Sequence, residues 1–277
     1  MALISNWKLD FVALLVLGMW ASQTTSRDLN EASMVQKHEY WMARFGRVYR
    51  DDAETAKRFK IFKDNVDYIE SVNKAVIRPY KLGINEFADL TNEEFRATHN
   101  GYKMSSHQKS SNTISFSSDM ICDGGLMDDA FTFIIKNHGL TTKSNYPYEA
   151  IDGTCKTRQE SNHVFKITGY EDVPANSESA LLSVVSNQLV SVAIDASGSD
   201  FQFYSSGVFI GECGTELDHG ITAIGYGKTS DGTKYWLVKN SWGTSWERTA
   251  ILECKEALML QREFVELLCK LLTQLLK

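Results

Sequence analysis

The chain has 277 residues, 43% of them hydrophobic and 23% charged, enough to bury one large core or two modest ones. A net charge of −6 excludes the basic footprint of a nucleic-acid-binding protein. Five cysteines (Cys122, Cys155, Cys213, Cys254 and Cys269) include no close C-x-x-C pair, so the common zinc and redox motifs are excluded and no metal or cofactor is expected.

The first element is a leader. Lys8 precedes the apolar run Phe11–Trp20, which is too short to span a bilayer. Ala21-Ser22-Gln23-Thr24 follows, so 1–24 reads as a signal peptide, with no stable membrane anchor. A charged, helix-rich segment comes next, at 35–97. Within it Glu54, Arg58, Phe62, Asn65, Ile69 and Asn73 stand at offsets of 0, 4, 8, 11, 15 and 19. At about 100° per residue they fall on one helical stripe roughly 100° wide. Glu54 and Arg58 can pair at i,i+4. Gly83, Asn85, Phe87 and Asp89 then repeat with a period of two. From 98 to 120 the chain is polar and aperiodic, and it reads as a linker.

Leu126, Ala130, Phe133 and Ile134 recur at helical spacing, which predicts a core helix over Leu126–Asn137, stopped by His138-Gly139. Gly124-Gly125 before it reads as a tight turn or a binding loop. From about His163 the pattern becomes mostly β. Phe165–Tyr170, Val190–Asp195, Phe201–Ile210, Ile221–Tyr226 and Tyr235–Lys239 are predicted strands. Ser177–Gln188 is a predicted helix, with Asn176 or Ser177 as its cap. Asp231-Gly232 is a signal for a two-residue type I′ hairpin turn. Antiparallel pairing of the last two strands would bring His219 close to Asn240, an imidazole beside the amide that fixes its tautomer.

These motifs carry a resemblance. Asp218-His219-Gly220 with the run to Gly227, then Lys239-Asn240-Ser241-Trp242-Gly243, resemble the histidine and asparagine blocks of the papain family of cysteine proteases. The stripe on Glu54–Asn73 resembles the ERFNIN motif of that family's propeptides, and Gly83-x-Asn85-x-Phe87-x-Asp89 resembles a second propeptide motif. The resemblance implies an α+β, papain-like two-lobe fold behind a helical prodomain, with a barrel-like sheet in the second lobe. It makes His219 the general base, Asn240 its orienter and Trp242 a shield over their hydrogen bond. It places Gly124, Gly125, Leu126, Met127, Ala193, Leu217, Asp218 and Trp242 along the substrate cleft. Expected partners are peptide or protein substrates, or related cysteine proteases bound through the prodomain. The expected route is the secretory pathway, towards a vacuole, lysosome or the exterior.

The sequence also departs from that family. The nucleophile block, C-G-[SA]-C-[WY], occurs nowhere in the chain. It should lie about 130–150 residues before the histidine, and positions 69–89 hold no cysteine. Cys122 is 97 residues before His219 and is followed by Asp-Gly-Gly, which by alignment makes it a disulfide cysteine. The glutamine that helps form the oxyanion hole belongs to the same absent stretch. The resemblance also implies that the bridge partners of Cys122 and Cys155 lie there. After Trp246 the likeness stops. Taken alone, Phe264, Leu267, Leu268, Leu271, Leu272 and Leu275 make an amphipathic helical stripe. A one-base frameshift after Trp246 is the favoured account, because a shifted frame with suitable codons reads W-G-K-N-G-Y-I-R-M-Q-R and ends as the family does, including the G-I-C-G partner of Cys213. The expected organisation is therefore a truncated peptidase domain over 121–250 and an unrelated tail over 251–277. Three functions follow: a cysteine endopeptidase by descent, inactive as written; an inhibitor of related proteases; or a non-functional product of a protease gene.

Overall fold

The computed structural model describes residues 31–75, 77–102, 125–149, 153–211, 214–247, 251–255 and 265–267, the last three by backbone path alone. The expected signal peptide lies outside the described residues, as do Cys122, Gly124, Cys213, Cys269 and most of the linker. The chain divides into two compact units, Met1–Asp67 and Tyr68–Lys277.

In the first unit, helix α1 covers residues 31–45, and α2 (Asp52–Ala75) runs on across the boundary. Asp51 starts α2: its Oδ1 accepts the Glu54 amide at 2.9 Å, and that bond is the chief cause that lowers the Asp51 pKa. The inward stripe packs the two helices, with Phe62 and Val66 fully buried. The His38 ring lies 4.9 Å from Phe62 and 5.3 Å from Phe59, and stacks on Trp41 at 5.9 Å. Arg58 and Glu54 approach to 4.0 Å, as the i,i+4 spacing implies.

The second unit is organised by one mixed sheet. Its strands are β1 (Tyr80–Leu82), β2 (Asp172–Val173), β3 (Val190–Ile194), β4 (Tyr204–Phe209), β5 (His219–Lys228), β6 (Lys234–Lys239), β7 (Ile251–Lys255) and β8 (Val265–Leu267). They stand in the order β1-β4-β7-β6-β5-β3-β8-β2, antiparallel except for the parallel pair β4–β7. The helices of this unit are α3 (Asn92–His99), α4 (Met127–Lys136), α5 (Thr157–Glu160), α6 (Glu178–Val185) and α7 (Ser199–Gln202). Trp236, Val238, Val190, Phe209 and Leu252 fill the core from the inward side of the strands, and Trp246 and Phe201 close it.

The propeptide-like motifs explain how a short strand is held at the sheet edge. Asn73, near the end of α2, donates to the Leu82 carbonyl at 2.8 Å and accepts the Leu82 amide at 3.1 Å. This side chain thus satisfies both backbone groups of one β1 residue. The Gly83 amide donates to Phe203 O at 2.8 Å, and Asn85 donates to Gln202 O at 2.7 Å while accepting the Phe87 amide. Phe87 and Asp89 are buried. Where β1 meets β4, Gly207 has φ of +85°, and a Cβ there would sit 2.2 Å from Pro79 O, so only glycine allows this approach.

Several expectations stand and others are corrected. α4 matches the predicted helix, with Leu126 and Asn137 as its flanking caps and His138 at φ of +61° ending it. Ser177 caps α6 by accepting the Ala180 amide. Phe165–Tyr170 is not a strand: a single bridge joins Phe165 to Leu140. Phe201–Ile210 splits into one helical turn, α7, and β4, because short apolar runs do not distinguish the two by period. The Asp231-Gly232 turn is not type I′. Only Gly232 takes positive φ, +93°, inside a five-residue loop closed by Thr229 N to Thr233 O at 2.9 Å. The polar stretch from Thr98 is ordered at its start. A capping box, with Thr91 and Glu94 exchanging hydrogen bonds, begins α3 and carries helix to His99. Residues 251–255 also form a strand, whereas the sequence pattern ended at 250; Leu252 and Cys254 point inward and Ile251, Glu253 and Lys255 do not.

Candidate active site

His219 opens β5 and Asn240 follows β6, and the β5–β6 pairing sets them side by side. His219 Nε2 lies 2.8 Å from Asn240 Oδ1. The Ser241 amide also donates to that Oδ1 at 2.8 Å, which fixes which end of the Asn240 amide is oxygen. Oδ1 can only accept, so Nε2 carries the proton and the neutral ring keeps its lone pair at Nδ1. Both side chains are buried. Trp242 stacks on the His219 ring at 4.5 Å between centroids and 25° between planes.

Burial lowers the His219 pKa. The Asn240 bond offsets this in part, and the neighbouring His99 adds to the lowering. The arrangement can therefore accept a proton at Nδ1 and hold one tautomer. Asn240 Nδ2 has no hydrogen-bond partner among the described residues.

Asp218 is held from three directions. Its Oδ1 accepts the Ala196 amide at 2.8 Å, its Oδ2 accepts Asn100 Nδ2 at 2.7 Å, and its carbonyl accepts the Tyr102 amide at 2.9 Å. Burial is the main cause of its raised pKa. Ala193 is buried on β3 opposite Gly220, and Leu217 is half-buried just before the site. Gly125, Leu126 and Met127 lead into α4. Asp128 follows them, and its charge adds to burial in raising the Tyr102 pKa. Among the described residues, no group of acidic, cysteine and histidine side chains is arranged to hold a metal.

The resemblance implies a prodomain tail lying in the cleft, but His99, Asn100 and Tyr102 read in the sequence only as part of the linker. His99 lies 4.5 Å from Phe87, stacks on Phe95 at 5.2 Å, and meets the edge of Trp242 at 6.2 Å. Trp242 Nε1 donates to the His99 carbonyl at 3.3 Å. The capping signal Thr91-Asn92-Glu93-Glu94 was present and would have extended the ordered segment to His99. Nothing local marks Asn100 or Tyr102 as partners of Asp218. A cavity of about 590 Å3 lies elsewhere, lined by Arg78, Tyr80 and Asp200 among others, and not at His219.

A tryptophan-covered histidine–asparagine pair on a mixed sheet, overlaid by the end of a helical segment, defines a cysteine-protease proenzyme type of site. The chain belongs to the papain family of cysteine proteases: residues 87–258 match the family described as Papain family cysteine protease, Peptidase_C1. Residues 38–95 match the cathepsin propeptide inhibitor domain, Inhibitor_I29. The senescence-specific cysteine protease SAG39 of Oryza sativa subsp. indica is 44% identical over 314 aligned positions, covering 89% of this chain and 92% of that protein. Vignain of Ricinus communis is 41% identical over 286 positions, covering 78% of this chain and 79% of that protein. Among solved structures, a recombinant stem bromelain precursor superposes with a TM-score of 0.73 at 33% identity, covering 84% of this chain and 97% of that one. The family is one of papain-like cysteine endopeptidases, made as zymogens with an inhibitory propeptide.

Proposed function

We propose that this chain is a papain-family proenzyme without its nucleophile, able to bind through its prosegment and β-rich region but not to hydrolyse peptides. The observation that carries the reading is an assembled base and orienter with no described thiol placed to serve it. Among the described cysteines, the Cys155 thiol donates to Glu160 at 3.3 Å and its pKa is raised, first by that bond. Cys254 is buried within β7, opposite Trp236. A raised thiol pKa is the reverse of what a nucleophilic cysteine needs.

Alignment length supports an absent block. The SAG39 alignment spans 314 positions, but 89% of 277 residues is about 247, leaving about 67 positions without a residue from this chain. An omission of that size accommodates the nucleophile block, the oxyanion glutamine and the expected partners of Cys122 and Cys155. The frameshift after Trp246 belongs to the same proposal. The shifted reading puts an isoleucine and a methionine where Leu252 and Cys254 point inward. Both frames therefore keep the two-residue alternation that a sheet strand needs.

A prosegment that still matches an inhibitor domain gives the second reading, inhibition of related proteases in trans. The proposed route is secretory; among the described residues no helix is long and apolar enough to cross a membrane. Sequencing transcripts across Phe116–Cys122 and Trp246 tests the origin of the chain. Assaying the purified chain both as a peptidase and as an inhibitor of stem bromelain tests its function. The expected result is no peptidase activity with measurable inhibition; turnover of a dipeptide amide would remove the first reading.

A further inference from the structure

Four polar side chains meet away from His219. Asp200, on the single turn α7, accepts Tyr68 Oη at 2.6 Å on one carboxylate oxygen. Its other oxygen accepts Tyr80 Oη at 2.5 Å and Arg78 Nη1 at 2.8 Å. Arg78 Nη1 also lies 2.5 Å from Tyr80 Oη. The three donors belong to the stretch that runs from the end of α2 into β1. The acceptor belongs to the β-rich region, more than a hundred residues later.

The chemistry of this cluster is selective. Three donors converge on one carboxylate whose side chain is only 16% exposed. Burial is the first cause that raises both tyrosine pKa values, and the bond to Asp200 is the second; Tyr80 is pushed to about 12. Both phenols thus remain donors across the physiological range. An alanine in place of Asp200 would deprive a guanidinium and two hydroxyls of the carboxylate they share. Removing one partner of a partly buried, charge-assisted set is costly in a way that never forming the set is not.

We propose that Asp200 is the specificity anchor for the prosegment, and that it holds the prosegment on the chain's own β-rich region so that the chain is a self-masked inhibitor. The favoured partner in trans is a papain-family protease that carries a carboxylate at the place of Asp200. This rests on the trans-inhibition reading given above. It goes beyond that reading by naming what competes with the partner and what the partner must present.

The full-length chain should be assayed against active stem bromelain carrying either aspartate or alanine at the matching place. Asp200→Ala and the shape-preserving Asp200→Asn should each strengthen inhibition of both forms about tenfold, because the internal competitor is weakened. The aspartate form should be the better target, and Tyr80→Phe should reduce that preference. Unchanged inhibition in both Asp200 variants, or equal inhibition of the two bromelain forms, would overturn the proposal. If no variant inhibits, the trans reading itself fails, and the anchor is judged by ultraviolet titration of the tyrosines. Asp200→Asn must then lower the highest tyrosine midpoints; titration identical to that of the wild-type chain would overturn the anchor as well.

Discussion

The β-rich region and the segment from Gly125 to Ser161 belong to one unit but are built very differently. The sheet buries Trp236, Val238, Phe209 and Leu252, and the Asn73–Phe95 stretch packs against it with nearly every motif residue satisfied. The other segment has a helix of ten residues and a further single turn, α5, and Phe131 is its one buried hydrophobic residue among those described. Leu140 and Tyr148 stand exposed there. Among the described residues the β-rich region is therefore densely packed, and the other segment leaves apolar groups exposed. The densely packed region is the one that carries the base and its orienter.

This contrast can be broken by mutation. Trp236→Ala should cost about 3–5 kcal/mol and shift the denaturant midpoint strongly, because its surroundings cannot collapse. Phe131→Ala should cost less than about 2 kcal/mol, because its thin cover can relax. Equal losses, measured by urea unfolding, would remove the distinction between the two regions.

A smaller effect is expected where the prosegment meets the sheet. Asn73→Ala removes two hydrogen bonds to Leu82 and should cost about 1–3 kcal/mol. Hydrogen exchange should speed up in β1 and leave β5 and β6 unchanged. Exchange that rises evenly across the sheet would show that Asn73 supports the whole unit and not this edge.

The buried pair gives a pH signature. The His219 pKa is lowered from 6.5, so the folded protein favours the neutral ring. The unfolded chain takes up its proton first on acidification. This contribution is therefore complete above 6.5 and is lost as pH falls from there through the folded midpoint. Asp218 opposes it: its raised pKa adds stability that is complete below 3.8 and is lost as pH rises through the folded midpoint. Nuclear magnetic resonance should place the His219 midpoint below 6.5, and lower still in Asn240→Ala, which removes the bond that raises it. An upward shift in that variant would contradict the assigned hydrogen bond.

The smallest effect belongs to the surface. Glu54→Gln should cost no more than about 0.5 kcal/mol, because its ion pair with Arg58 is long and partly exposed.

The sequence was most legible where chemistry and period coincide. His219 and Asn240 flank a hairpin, so alternation alone brings them together, and the stripe on α2 follows from helical spacing. The turn was misread because Asp231-Gly232 names a residue preference, while loop length depended on Thr229 and Thr233 closing around it. Asp200 left no local trace, since its partners Arg78 and Tyr80 come from more than a hundred residues earlier. The strand at Ile251–Lys255 was missed for the opposite reason. The sequence reading ended the likeness at Trp246, whereas the family match runs on to 258; the alternation persists through the strand, and the sheet responds to alternation.

The central claim is that a complete base and orienter stand in a chain with no nucleophile to activate. The direct measurement is made on the purified chain after its prosegment is removed at acid pH, with a fluorogenic dipeptide amide and an epoxide that labels active-site thiols. The account predicts no turnover and no stoichiometric labelling of any cysteine. Turnover abolished by His219→Ala, together with one cysteine labelled to completion, would contradict it.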